Sequence, residues 1–209
     1  MIDAPAAIET ERLRLERWDE RHTAEEPIES REPDPTLIKE IEGMRPGRAL
    51  DLGSGDGRNA VWLASHGWRV TAVDFSPVAL ERGRTLATAC GVDVDWELAD
   101  LLEWVPPADA FELVALFFIH LPLDERRRVY AWAAASVTPG GTLLIVGHDR
   151  TNLTAGVGGP QDPNVLFTPN EIGAELPGFT VVRAEALRRT SSDGRGPIDA
   201  VVRAVKRTG

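Results

Sequence analysis

Cysteine is almost missing from this sequence: Cys90 is the single one in 209 residues. An intrachain disulfide is therefore excluded, and one thiol cannot build a zinc site by itself. A reducing compartment, the cytoplasm, is the expected location. No run approaches the roughly 20 consecutive apolar residues that a membrane span requires, and the opening MIDAPAAIETERLRLERWDER puts charges where a signal peptide needs an apolar stretch. Basic residues are also scarce: 23 Lys and Arg stand against 33 Asp and Glu, for a formal charge of -10. With no basic block there is no stripe to grip a phosphate backbone, so neither nucleic acid nor a membrane is an expected partner. Composition is silent on oligomeric state.

What is present is ordinary for a soluble globular chain, 43% hydrophobic and 27% charged, and enough for one α/β domain but not two. Residues 1–36 are charged and interrupted by Pro27, Pro33 and Pro35, which predicts an N-terminal segment with a short helix over 13–26. Residues 37–209 form the domain itself. Short apolar runs bounded by Gly, Pro or Asp at 48–52, 70–74, 94–98, 111–119 and 142–146 predict buried strands. Helical patterns lie between them at 57–66, 77–90 and 124–137, with Ser76 and Asp124 as N-caps and Pro139-Gly140-Gly141 as a turn. Such alternation predicts a parallel sheet wound on both faces. A Gly- and Pro-rich loop at 152–164 follows, then a capping box from Thr168 to Glu171 and two hairpin-joined strands at 179–187 and 198–205.

The densest signal is LDLGSGDGRNAVWLASHGWRVTAVD, residues 50–74. Gly53 and Gly55 fit the first two positions of the dinucleotide fingerprint G-x-G-x-x-G, and Asp74 ends the next strand, where that fingerprint wants its acidic residue. The third position is Arg58, too long for the close helix–strand packing a glycine permits there. Asp51 and Asp56 flank the loop, and their charges oppose a pyrophosphate settling at the helix N-terminus. A ligand with a cation and no phosphate suits the loop better. S-adenosyl-L-methionine is such a ligand, bringing an ammonium, a sulfonium and a ribose diol that the Asp74 carboxylate can hold.

The run ALDLGSGDGRNAVWLASHGWRVTAVDFSPVALERGRTLA resembles the cofactor half of class I S-adenosylmethionine-dependent methyltransferases, with D-x-G-x-G-x-G at 51–57 as the first motif. More narrowly, G-R-N-A-x-x-L-A with V-T-A-V-D-x-S-x-x-A-L is similar to small bacterial tellurite-resistance and thiopurine-type methyltransferases. The match extends over residues 47–148. This resemblance implies a Rossmann-like α/β fold, a doubly wound, mostly parallel seven-stranded sheet with an antiparallel C-terminal strand, for which the hairpin at 179–205 is placed. It implies that Asp51, Gly53, Ser54, Gly55 and Gly57 line the methionine end of the cofactor. Asp74, Phe75 and Ser76 would hold its ribose and adenine, with Asp100 and Leu101 at the adenine. The loop from Phe117 to Leu121 would lie beside the reactive methyl. No N-P-P-Y follows the fourth strand, so amide or adenine N-methylation of nucleic acid is unsupported, and no carboxylate cluster points to a required metal.

His120 and His148 each fall just past a predicted strand, at the edge where doubly wound sheets bind ligands. His120 is the candidate general base where the acceptor must lose a proton. A thiolate or an oxyanion would need no base. Trp18 and His22, in an N-terminal segment acting as a lid, and His148 with Asp149 are the candidates for contact with the acceptor. The expected function is methyl transfer to a small-molecule thiol, oxyanion, hydroxyl or amine by in-line displacement. Two other readings share the loop: an S-adenosylmethionine-binding module without catalysis, and a nicotinamide-dinucleotide oxidoreductase.

Overall fold

The expected alternation of strand and helix is present in the computed structural model, which describes residues 32–189 and 196–209. The helix expected over 13–26, with Trp18 and His22, lies outside the described residues. The first half of the described chain runs α1 (Pro35–Glu40), β1 (Arg48–Leu52), α2 (Arg58–Ser65), β2 (Arg69–Asp74), α3 (Pro77–Cys90), β3 (Asp95–Leu98) and β4 (Phe111–Phe117). The second half runs α4 (Leu123–Ser136), β5 (Val137–His148), α5 (Asn152–Ala155), α6 (Pro169–Ala174), β6 (Phe179–Arg188) and β7 (Ile198–Lys206).

The strands form one seven-stranded sheet in the order β3-β2-β1-β4-β5-β7-β6. Pairs from β3 through β5 are parallel, while β7 runs antiparallel to both β5 and β6. The order reverses between β1 and β4, so the loops leaving these two strands diverge and open a crevice at the C-terminal edge. Because β7 runs the other way, its first residues arrive at that same edge, with Asp199 opposite His148 in register.

Alternate residues of the central strands feed two cores. Leu50, Leu52, Val114, Leu116, Leu143 and Ile145 pack with Val129, Tyr130 and Ala133 of α4 on one face. Ala49, Ala72, Leu113, Ala115, Leu144 and Val146 pack with Leu37 of α1 and with Ala60 and Leu63 of α2 on the other. A period of two with apolar residues on both faces is what a central parallel sheet requires. Each fully buried leucine contributes about 1.5–3 kcal/mol.

Local differences from the sequence reading have physical causes. Pro139-Gly140-Gly141, read as a turn, falls inside β5: Phe111 pairs with Val137 but Leu113 with Thr142, so the extra residues bulge out of the ladder. Asp124 is not the N-cap of α4; Pro122 holds that position without a side-chain cap, and Asp124 sits in the first turn, where its charge complements the helix dipole. The Gly-rich loop contains the short α5 and a 3-10 turn, Pro163–Val165. Ser76 does cap α3, its Oγ accepting from the Ala79 N–H at 3.1 Å, and the Thr168–Glu171 capping box is closed in both directions.

Candidate active site

The glycine loop joins β1 to α2, and Gly53, Gly55 and Gly57 all take left-handed backbone, at φ 69°, 56° and 75°. A side chain at any of them is strained, which is why this stretch alternates glycine. The N–H groups of Gly53 and Ser54 donate to the Val73 carbonyl at 2.8 and 3.0 Å, tying the loop to β2. Asp74, buried at the end of β2, continues the anchoring: its Oδ2 accepts from the Gly55 N–H at 2.8 Å and its Oδ1 from the Ser76 N–H at 2.9 Å. Asp74 thereby organises the loop, since a carboxylate can accept several N–H groups at once.

Asp51 lies on the neighbouring strand and is 1% exposed. Burial pushes its carboxyl up to about 7, and the Asp74 charge adds to the rise, against the opposing pull of Arg58 and the Ala60 backbone N–H. Asp51 Oδ2 and Ser54 Oγ are buried without a hydrogen bond among the described residues. Such a loop has acceptors to offer a cation and buried acids to oppose a phosphate, which fits the ammonium end of S-adenosylmethionine. Arg58, the residue that spoils the dinucleotide fingerprint, points toward Asp34 with Nη2 3.9 Å from Oδ2.

A cleft of about 250 Å³ opens in front of the loop. One wall is Gly53, Asp74, Phe75, Asp100 and Leu101; the other is Phe118, Ile119, His120 and Leu121, with Pro160 from the Gly-rich loop. Asp100 Oδ1 accepts from the Leu102 N–H at 2.8 Å, which turns the chain back after β3. Phe118 has φ 58°, a conformation non-glycine residues rarely hold and one worth about 1–3 kcal/mol of local strain. The kink puts Phe118 at the cleft while Phe117 stays 7% exposed in the core. Ile119 leans across the loop, so that a Cβ at Gly53 would collide with its Cδ1.

Asp51, Ser54, Gly55, Gly57 and Ser76 are not among the residues that line this cleft. At Gly57 a Cβ would collide with the Trp96 ring, so this glycine also serves the packing of β3 on α2 and α3. His120 accepts at Nε2 from the His148 N–H at 3.1 Å, and the two rings stack 5.2 Å apart. Asp149 faces its own turn: Oδ1 accepts from the Thr151 N–H at 2.8 Å and from its hydroxyl at 2.5 Å. Phe118 falls in the loop expected beside the methyl, and a backbone kink turns it to the cleft. Two residues at this edge were not found from sequence. Asp199 reaches His148 only through the β5–β7 register. Asn152 bridges distant segments, accepting from the Ile198 N–H and donating to the Gly158 carbonyl, both at 2.8 Å. Among the described residues no helix is long and apolar enough to cross a membrane, and no group of three or more His, Cys, Asp or Glu gathers as metal ligands.

Residues 49–141 match the family described as Methyltransferase domain. The chain is 24% identical over 146 residues to the 2-heptyl-1-hydroxyquinolin-4(1H)-one methyltransferase of Mycobacteroides abscessus, covering 68% of this chain and 64% of that one. It is 30% identical over 159 residues to ribosomal RNA small subunit methyltransferase C of Alcanivorax borkumensis, covering 71% and 46%. The matched part is thus 46% to 64% of these relatives' own length. The N-methyltransferase NodS of Bradyrhizobium japonicum WM9, solved in complex with S-adenosyl-L-homocysteine, superposes with a TM-score of 0.74 at 16% identity, covering 93% of this chain and 98% of that one. Sheet order and crevice define a Rossmann-like methyltransferase fold. With the domain match, residues 49–141 are a methyltransferase domain, set in the fold of the class I S-adenosylmethionine-dependent methyltransferases, the class whose cofactor is S-adenosylmethionine.

Proposed function

We propose that this protein methylates a small-molecule acceptor by in-line displacement. The observation that carries the reading is the pair of buried carboxylates, Asp51 and Asp74, at the ends of neighbouring strands behind a glycine loop and a largely apolar cleft. Bound S-adenosylmethionine supplies a methyl group on a sulfonium centre, an electrophile ready for direct displacement. Asp51 and Ser54 would receive the ammonium side, the Asp74 carboxylate the ribose hydroxyls, and Phe75, Asp100 and Leu101 the adenine end. Phe118, Ile119, Leu121 and Pro160 would close an apolar wall on the acceptor and keep water out, which leaves positioning as the main source of acceleration.

The size and apolar wall of the cleft support a small acceptor, as does the formal charge of -10. The relative named for a 2-heptyl-1-hydroxyquinolin-4(1H)-one substrate supports the same class. The relative named for ribosomal RNA gives the competing one. Incubation with methyl-labelled S-adenosylmethionine, a panel of small thiols, phenols and amines, and ribosomal RNA separates them. Label is expected in the small molecules; label confined to RNA overturns the reading, and binding without any transfer makes the chain a binding module.

A further inference from the structure

The two histidines at the sheet edge are not equivalent. Nε2 of His120 accepts from the backbone N–H of His148, so that nitrogen carries no proton and its lone pair is engaged. His148 presents its other nitrogen to an acid: Nδ1 lies 3.1 Å from Oδ1 of Asp199, a carboxylate 2% exposed. The separation is that of a hydrogen bond but the geometry is not, and Nδ1 makes none in this rotamer among the described residues. A small turn of the ring completes it. Asp199 is itself held, with Arg189 Nε 2.6 Å from Oδ2 and Nη2 3.3 Å from Oδ1. The Arg189 guanidinium also lies 5.1 Å from the centre of the Phe118 ring. Gly159 packs on the His148 ring, where a Cβ would stand 2.6 Å from Cδ2 and 2.8 Å from Nε2, so this position takes no side chain.

We infer that His148, oriented by Asp199, is the proton acceptor of this site, and that its substrates carry a hydroxyl group deprotonated as it is methylated. This rests on the methyl-transfer reading above. A carboxylate at Nδ1 fixes the tautomer whose lone pair is at Nε2. The acceptor oxygen–carbon bond forms as the sulfonium–methyl bond breaks, the sulfonium leaves as a thioether, and the hydroxyl proton passes to Nε2. The positive charge lost at sulfur ends on an imidazolium facing Asp199. Asp199 is a positioning residue acting through His148; among the described residues, His120 stacks on the ring and Arg189 pairs with Asp199.

Long-range proton–nitrogen NMR of the histidine rings reads the tautomer with no acceptor present. His148 is expected to be protonated at Nδ1 and bare at Nε2, and Asp199→Asn to lose that preference. A wild-type His148 protonated at Nε2 overturns the inference, as does a preference indifferent to Asp199→Asn. Turnover with phenol and with 4-nitrophenol at about pH 8 gives a second reading. His148→Gln should lower turnover at least ~100-fold on phenol and under ~10-fold on 4-nitrophenol, which is ionised without help. Equal losses on both overturn the base role, and a wild type that methylates neither overturns the hydroxyl class. A wild type that does not bind S-adenosylhomocysteine overturns the methyl-transfer reading instead, while the tautomer result still decides the His148–Asp199 pairing.

Discussion

Loss of the Asp74 side chain removes more than a ligand contact, because its oxygens already hold the N–H groups of Gly55 and Ser76. Asp74→Ala is expected to weaken S-adenosylhomocysteine binding about 10- to 100-fold, the worth of a charge-assisted hydrogen-bond pair. It should also lower the melting temperature by orphaning two buried donors. Calorimetric titration well below melting isolates the binding effect, and unchanged affinity would put the ribose elsewhere. Asp51 supplies a pH signature. With its carboxyl pushed up to about 7, it is protonated below that value and attracts an ammonium only above it. Affinity should rise by up to about tenfold per pH unit toward that value and level off beyond it, while Asp51→Asn shows no such rise. A flat wild-type profile would remove Asp51 from the ammonium site. In the free protein the sign is opposite: the folded state holds a proton that the unfolded state releases, so this group's contribution to stability falls between its ordinary 3.8 and about 7. Asp51, Gly53 and Asp74 were legible because one contiguous motif carries them. Asp199 was not, because it meets His148 from 51 positions away and only through strand register.

Elements show where local sequence preference gives way to packing. Gly83 lies mid-helix in α3, where alanine would ordinarily gain about 1 kcal/mol of helix propensity. Here a Cβ would stand 2.5 Å from the Trp96 ring, and overpacking costs about 1–3 kcal/mol. Gly83→Ala is therefore expected to destabilise by about 1 kcal/mol in urea unfolding, and a stabilised variant would show that Trp96 swings away freely. At α6 the expectation follows propensity: Thr168→Ala should cost about 1 kcal/mol, since the Glu171 N–H loses its cap and the box opens. The limits of α2, α3 and α4 were readable to within a residue because Gly, Pro and cap residues mark them. The full length of β5 was not, because Pro139 and Gly140 look the same in a turn and in a bulge.

At the scale of the whole molecule, the antiparallel β7 completes the proposed acceptor side. It closes the sheet beside β5 and carries Asp199 to the crevice that β1 and β4 open. The doubly wound order was legible because apolar runs and helical stretches alternate so regularly, and its antiparallel end came with the family resemblance. The proposed acceptor side was less legible, because the loops after β4 and β5 and the start of β7 that would form it carry no contiguous motif. The loop at Gly53–Gly57 is expected to serve a cationic nucleoside rather than a pyrophosphate. Thermal melting against S-adenosylhomocysteine and, separately, NADH tests it most directly. At about 100 times its dissociation constant S-adenosylhomocysteine should add ~2.7 kcal/mol, a rise of roughly 5–10 °C for a chain of this size, with no rise from NADH. A shift with NADH and none with S-adenosylhomocysteine at about 1 mM would make the loop a dinucleotide site instead.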